Sequence, residues 1–144
     1  MIENPTGDVY LALIKALCKN SDRFCFVTRK ELDYDQLTIQ LFQPHKIREY
    51  KSKQWSGTVT RGPSATIHEY KINKETTRLL LQSANSLYEW VSPKLPEDLA
   101  FYQKDFNWFY STTHEELADF RICSEQQVKL MEQIPGLKVE KAEY

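Results

Sequence analysis

The hydrophobic pattern of this chain changes period several times, as expected for a fold that mixes helices and strands. Between residues 6 and 19 the apolar side chains recur at helical spacing, which predicts a first helix capped by Thr6 or Asp8. The apolar face of this helix comprises Tyr10, Leu13, Ile14 and Leu17. The next apolar segment, RFCFVT at residues 23–28, alternates instead and predicts a well-buried strand.

Residues 34–45, with the sequence YDQLTIQLFQPH, fit two structures. Leu37, Ile39 and Leu41 alternate as in a strand, whereas Tyr34, Leu37 and Leu41 share one face of a helix. The assignment of residues 34–43 stays open at this point, with a helix preferred. The polar segment at residues 46–73 is rich in β-forming residues and contains the turn sequence RGPS, so it predicts a hairpin.

A long helix is predicted from Asn73 to about Val91, because apolar residues form one stripe along it and polar residues lie opposite. The stripe contains Leu80, Ala84, Leu87 and Val91. Pro93 and Pro96 are expected to end this helix. Three strands are predicted after the prolines, over residues 99–101, 107–113 and 117–123.

The last helix is predicted to begin at Ser124, because Ser124 with Gln127 three residues later is a capping-box pattern. The residues expected on its buried face are Val128, Met131 and Ile134. The final eight residues, LKVEKAEY, are a candidate edge strand. Together the elements predict one α+β domain over residues 1–144, an antiparallel sheet of about five or six strands with three or four helices mainly on one face.

The composition limits the classes of function. A formal net charge of −1 over 144 residues and a pI of about 6.3 provide no global attraction to nucleic acid or to an anionic membrane. No apolar stretch approaches the roughly 20 residues that cross a bilayer. Three cysteines without a C-x-x-C pair favour a reducing cytoplasm and thiols buried as small apolar groups. We therefore expect no membrane association, no metal and no cofactor.

One basic stretch is a candidate contact for nucleic acid. HKIREYKSKQW, residues 45–55, interleaves cationic residues with Tyr50 and Trp55, a composition that holds a phosphate backbone and stacks bases. The near-neutral total charge argues against this function, and a solvated strand face is the preferred interpretation.

The segment FNWFYSTTHEELADF, residues 106–120, places a histidine beside two glutamates and predicts a hairpin. With Glu115 and Glu116 at the tip, Ser111 pairs with Phe120 and Thr113 with Ala118. The core face would then carry Phe109, Ala118, Phe120 and Ile122. The other face would carry Trp108, Tyr110, Thr112 and His114, with Arg121, Asp119 and Leu117 opposite them.

The second face of this hairpin has a structural and a binding interpretation. It is structural if Trp108 and Tyr110 pack beneath a helix. It is a protein-binding surface if Trp108, Tyr110 and Arg121 are exposed, because these residue types dominate the energetics of interfaces. Trp55 is a further candidate binding residue.

A catalytic interpretation places His114 as a general acid or base, oriented by Glu115 or Asp98. Neighbouring residues of a strand point to opposite faces, so His114 and Glu115 cooperate only if the turn bends them together. Asp98 follows the helix-ending prolines, and a compact fold could bring its carboxylate to the imidazole.

Three motifs resemble those of a family of small uncharacterised bacterial proteins, some of which are labelled stage III sporulation protein AH. They are WSGT at residues 55–58, SLYEWVSPKLPEDLAFY at residues 86–102 and STTHEELADF at residues 111–120. The resemblance implies a bacterial source and a soluble domain, and it brings no established activity. The positions that it marks are Trp55, Gly57, Thr58, Tyr88, Trp90, Glu97, Asp98, Trp108, Ser111, His114 and Glu115.

The preferred hypothesis is a non-enzymatic domain of the bacterial cytoplasm, immunity-like or regulatory, that binds another protein through an aromatic sheet face. The alternative is a small hydrolase-like enzyme with His114 as general acid or base. The enzyme would need His114 in a concave pocket, whereas the binding domain would need its aromatic face open to solvent.

Overall fold

The computed structural model describes residues 2–139, which contain a six-stranded antiparallel sheet and four helices. The strands of this sheet are β1 (Arg23–Arg29), β2 (Lys46–Ser52), β5 (Ala65–Lys71), β6 (Glu97–Gln103), β7 (Phe106–Thr112) and β8 (Leu117–Phe120). They are ordered β2–β5–β1–β6–β7–β8. A separate small hairpin consists of β3 (Gln54–Trp55) and β4 (Thr58–Val59). The predicted α+β class is confirmed.

The helices pack on one face of the sheet and bury its largest side chains. They are α1 (Asp8–Lys19), α2 (Gln36–Phe42), α3 (Lys74–Ser83) and α4 (Glu125–Glu132). Apolar residues of α1 and α3 meet strand residues such as Phe24, Phe26 and Phe101 in the main core. The Tyr10 hydroxyl inside this core is paired, since it donates to the Leu80 carbonyl at 2.7 Å and accepts from Trp90 Nε1 at 2.9 Å.

Strand β1 is buried on both of its faces, as its sequence predicted. Phe24 and Phe26 face the helices, whereas Cys25 and Val27 belong to a second, smaller cluster on the opposite face. Residues 36–42 form a helix, which settles the earlier ambiguity. The Asp35 side chain caps this helix by accepting a hydrogen bond from the Leu37 amide at 3.0 Å.

The predicted helix from Asn73 to Val91 is too long. Helix α3 ends at Ser83, and Ala84 is extended, with φ −151° and ψ 162°. The following segment pairs with the N-terminal segment, because the Gly7 amide donates to the Asn85 carbonyl at 2.7 Å and the Leu87 amide to the Pro5 carbonyl at 3.1 Å. These contacts also make Gly7 the N-cap of α1, so the predicted side-chain caps at Thr6 and Asp8 are wrong.

Antiparallel pairing within residues 46–73 is confirmed between β2 and β5. The predicted RGPS turn between the two strands is wrong, because residues 61–64 join β5 to β4 of the inserted β3–β4 hairpin, with which β5 does not pair. Ser124 caps α4 by accepting from the Gln127 amide at 3.2 Å, as predicted. At the end of the chain Val139 forms a single bridge with Ile2, and residues 140–144 of the candidate edge strand lie outside the described residues. Within residues 2–139, no helix combines the length and the apolar character needed to cross a bilayer.

Strands β7 and β8 pair two residues away from the predicted register. Phe109 lies opposite Phe120 and Thr112 opposite Leu117. The cause is the turn at residues 113–116, a 3-10 turn that ends with Glu116 at φ 54° instead of a two-residue Glu-Glu turn. A shift of two residues preserves the faces, so Phe109 and Phe120 reach the core as predicted.

Two residues of this hairpin do not follow the prediction. Trp108 is fully buried in the main core, and its Nε1 donates to the Ser21 hydroxyl at 2.8 Å. An irregularity in the β6–β7 pairing at Phe101/Tyr102 breaks the alternation and turns both Trp108 and Phe109 toward the helices. Ile122 lies beyond the end of β8 and is exposed.

Candidate functional site

His114 lies on the turn between β7 and β8, at one end of the sheet. Its imidazole is partly open to solvent, with 28% of the side chain exposed. The turn starts at Thr113, which is buried, and the left-handed conformation of Glu116 directs the chain back into β8. His114 therefore lies at the surface on a backbone that its buried neighbour Thr113 holds in place.

Glu97 and Asp98 bring two buried carboxylates to His114. Their side chains are 1% and 0% exposed. Glu97 Oε2 lies 3.5 Å and Asp98 Oδ1 3.7 Å from His114 Nδ1. Neighbours in a regular strand would point apart, but Asp98 has φ 57° and the β1–β6 pairing is irregular there, so both carboxylates face the same imidazole.

Asp98 joins three parts of the fold through its hydrogen bonds. Asp98 Oδ2 accepts from Trp55 Nε1 at 2.8 Å, and Oδ1 accepts from the Thr113 amide at 2.8 Å. The Asp98 amide donates to the Thr113 hydroxyl oxygen at 3.1 Å. The carboxylate thus holds the β3–β4 hairpin and the His114 turn against β6.

Glu97 accepts a hydrogen bond from the Tyr34 hydroxyl at 2.7 Å through Oε1. Burial of the Tyr34 ring, together with this bond to a carboxylate, raises the pKa of Tyr34 above its usual range. Arg29 also approaches the imidazole, with Nη2 3.5 Å from His114 Nδ1 and 3.4 Å from Nε2, and its guanidinium lies 5.4 Å from the centre of the Trp55 ring. The imidazole therefore has a cation close to it.

This arrangement has the chemical elements of two kinds of site. An imidazole beside two carboxylates can accept and release a proton, as a general acid or base must. One donor atom each from Glu97, Asp98 and His114 also lie within 4.8 Å of one another, a set of oxygen and nitrogen donors that suits a divalent metal ion. The predicted partner Glu115 lies farther away, with Oε1 3.9 Å from His114 Nε2 and its side chain largely exposed.

The WSGT motif covers this cluster from the second face of the sheet. Gly57 has φ 78°, and a Cβ added there would lie 2.6 Å from Thr112 Oγ1 and 3.0 Å from the Tyr110 ring. The Ser56 hydroxyl is hydrogen-bonded to the Asn107 side chain. Trp55 is half-buried over the small second cluster and reaches Asp98 through its indole nitrogen. The motif therefore positions a lid over β6 and β7.

The rest of this second face carries three arginine–tyrosine stacks. We call it the open face and define it by Arg23, Arg48, Tyr50, Tyr102, Tyr110 and Arg121. The guanidinium groups of Arg23, Arg48 and Arg121 lie 4.4, 5.0 and 4.8 Å from the ring centres of Tyr102, Tyr50 and Tyr110 respectively. The buried Glu69 pairs with Arg23 at 3.0 Å and with Arg48 at 2.8 Å.

The structure separates the predicted site residues into two groups. His114, Asp98 and, less closely, Glu115 come together at the turn. Tyr110 and Arg121 stack on the open face, whereas Trp108 lies in the core and is wrong as a surface binding residue. Trp55 adjoins both groups, because it contacts Asp98 on one side and packs with Tyr110 in the second cluster on the other.

Three residues near His114 were not assigned a role from the sequence. Glu97 is marked by the Leu-Pro-Glu-Asp-Leu motif, and that motif was the signal that could have identified it. Arg29 and Tyr34 come from the end of β1 and the segment after it, and their spacing to residue 97 contains no pattern.

Comparison of the chain with models of known protein families, with curated proteins and with solved structures gives no match. The family resemblance based on the three motifs stays a prediction.

Proposed function

We propose that this protein is a non-enzymatic, protein-binding domain of the bacterial cytoplasm, immunity-like or regulatory, and that the open face is its interface. The observation that carries the proposal is the set of three arginine–tyrosine stacks on the sheet face opposite the helices. Tyrosine and arginine are enriched among the residues that dominate binding energy, and a stacked guanidinium loses less conformational freedom on binding.

The charge of the open face indicates an acidic partner. One row of cross-strand neighbours runs from Arg48 through Glu69 and Tyr110 to Asp119. The cations of this surface are Arg23, Arg48, Arg121 and Lys71, which lies opposite Arg23. Its carboxylates are Glu69, Asp119 and Asp22, the last of which lies 3.4 Å from Arg23, so the surface carries one excess positive charge on a chain of net charge −1. A partner surface that supplies carboxylates would form bidentate contacts with the exposed guanidinium groups.

The test is a quantitative pull-down from a lysate of the source organism, with Arg121→Ala and Tyr110→Ala compared with the wild type. Arg78→Ala on the exposed side of α3 is the matched control, because it removes an arginine from the opposite face. We expect a protein that is retained by the wild type and the control and is lost with both open-face variants. The purified partner should then bind at least about tenfold more weakly to Arg121→Ala, a loss of roughly 1.4 kcal/mol.

Retention of the partner by Arg121→Ala and Tyr110→Ala at the wild-type level would exclude the open face as the interface. A partner that binds with the same affinity at low and high salt would exclude the acidic complement, because interactions between exposed charges weaken as salt screens them.

A second candidate function is a small hydrolase-like enzyme that uses His114. The observation that favours it is the pair of buried carboxylates at 3.5 and 3.7 Å from an imidazole that solvent can reach. A screen of ester and phosphoester substrates would test it, with His114→Ala expected to lower any activity at least about 100-fold. His45→Ala, at a half-buried histidine outside this cluster, is the control, and equal activity in both variants would exclude this function.

A further inference from the structure

A cavity of about 340 Å³ lies on the helix-bearing face of the sheet, away from the open face. Its volume falls in the range of roughly 300–1,000 Å³ in which proteins bind small molecules. The floor is a row of cross-strand neighbours in which Lys51 lies opposite Thr66 and Thr66 opposite Thr28. We call it the Thr28 cavity.

The buried His68 makes Thr28 a hydrogen-bond donor toward this cavity. Lys46 Nζ lies 3.1 Å from His68 Nδ1, and because an ammonium group only donates, Nδ1 accepts. Burial and the Lys46 charge hold the pKa of His68 at about 4, so at pH 7 the ring is neutral and its proton sits on Nε2. Nε2 lies 2.8 Å from Thr28 Oγ1 and donates to it, which leaves the Thr28 hydroxyl proton for another acceptor.

The charged side chains that line the Thr28 cavity are cationic. They belong to Arg29, Lys30 and Lys51. The Arg29 guanidinium lies against Trp55 and His114, so Lys30 and Lys51 provide the charge. Asp35 in the adjoining segment is engaged as the cap of α2 and is not part of the lining.

The lining also supplies hydroxyl donors and an apolar side. Ser64 and Thr66 add hydroxyl groups from β5 and the turn before it, and Leu32 and Ile39 add apolar surface from the segment that leads into α2. Separate hydroxyl donors and ammonium groups suit an anion with several acceptor oxygens, because each oxygen can meet a different donor.

We propose that the Thr28 cavity binds a small molecule that carries a phosphate group, with the phosphate on Thr28, Thr66 and Lys51 and the organic part against Leu32 and Ile39. This site goes beyond the proposed protein interface and lies on the other face of the sheet.

The test is a titration of ¹⁵N-labelled protein with inorganic phosphate, followed by NMR and compared with chloride at equal ionic strength. We expect saturable shifts of the amides of residues 28–30 and 64–66. Lys51→Gln and Thr66→Val should each weaken the apparent affinity about fivefold, the loss of one hydrogen bond of about 1 kcal/mol. Thr28→Val should do the same, because it removes the hydroxyl that His68 orients.

Lys94→Gln is the matched control, since Lys94 is an exposed lysine that does not line the cavity, and it should leave the affinity unchanged. The dispersion of each variant's spectrum shows that it is folded. Linear shifts without saturation would overturn the proposal. Saturable shifts that Lys51→Gln and Thr66→Val leave unchanged would also overturn it, because the phosphate would then bind elsewhere.

Discussion

Gly57 is the residue on which the position of the β3–β4 hairpin depends. Its φ of 78° is one that side-chain-bearing residues rarely adopt, and the backbone passes directly over Thr112 and Tyr110. The close approach brings Trp55 to Asp98, at 2.8 Å. The WSGT motif contains this glycine, but the side chain that leaves no room for a Cβ there belongs to Thr112, 55 residues later in the chain.

Replacing Gly57 with alanine is expected to destabilise the protein by about 2 kcal/mol, because the new Cβ adds left-handed strain to a steric clash. Urea denaturation of the two proteins measures this difference. Gly62→Ala is the control, since a Cβ there would meet its nearest atom at 3.6 Å, and it should change the free energy of unfolding by less than about 1 kcal/mol. Equal stability of both variants would show that the hairpin does not pack closely on β7.

His68 links stability to pH through its burial. Its pKa of about 4 in the folded protein lies below the ordinary value of 6.5, chiefly because burial disfavours the charged ring. The unfolded chain therefore binds a proton at this residue before the folded chain does. The stability that the neutral ring provides is complete above pH 6.5 and is lost as the pH falls toward 4.

We expect His68→Gln to lose less stability than the wild type between pH 7 and pH 4.5. The difference in the free energy of unfolding should be about 2 kcal/mol, from the shift in pKa. Denaturation curves at pH 7 and pH 4.5 give the change in the free energy of unfolding for each protein. The difference between the two changes removes the contribution of the carboxylates, which titrate in the same range and are the same in both proteins. If the two proteins lost the same free energy, His68 would not be buried in a neutral form.

Glu97 and Asp98 show why residue patterns found only part of the site. Alternation along a strand assigns them to opposite faces. The φ of 57° at Asp98 and the irregular pairing beside it bring both carboxylates to His114, and neither feature has a local sequence signal. Asp98 and His114 were predicted together because a compact fold could bring the carboxylate to the imidazole, whereas Arg29 and Tyr34 enter through tertiary contacts alone.

At the scale of elements, local sequence signals predicted where α3 begins better than where it ends. Asn73 begins α3 with a capping box, in which its side chain accepts from the Thr76 amide at 2.9 Å and Thr76 Oγ1 accepts from the Asn73 amide at 2.9 Å. The end of α3 at Ser83 has no comparable local cause. The helix ends there because Asn85 and Leu87 pair with the N-terminal segment, and hydrophobic periodicity does not indicate this pairing.

Asn73→Ala should destabilise the protein by about 1 kcal/mol, because it leaves the Thr76 amide of the first turn of α3 without its acceptor. Thermal or urea denaturation measures the effect. Asn73→Ser keeps an acceptor at the cap and should restore most of the stability. If the alanine and serine variants were equally stable, the capping box would not support α3.

At the scale of the molecule, the sheet has one face covered by helices and one that holds both the Trp55 hairpin and the open face. Burial of the central strand on both faces also determines the environment of Cys25. Cys18 and Cys25 are buried, and burial raises the pKa of Cys18 to about 11 and that of Cys25 to about 12. Cys123 is exposed, so the expectation that all three thiols are buried is wrong for this residue.

The native protein should therefore react quickly with a thiol reagent such as DTNB at one cysteine, and at all three after denaturation. Cys123→Ser should abolish the fast reaction, whereas Cys18→Ser should leave it intact. Fast reaction of two or more thiols in the native state would show that the sheet does not protect Cys25 or that α1 does not protect Cys18.

The sequence by itself determined the α+β class, the type of most elements and the side chains of the main core, because these depend on periodicity within short segments. Tertiary structure alone decided the end of α3, the register of β7 with β8, the burial of Trp108 and the meeting of Glu97, Asp98 and His114. Each of these depends on a bulge, a left-handed residue or a contact between distant segments. Such features change the direction of the backbone. They are stabilised by the packing of the whole fold, so the local pattern of hydrophobic residues does not predict them.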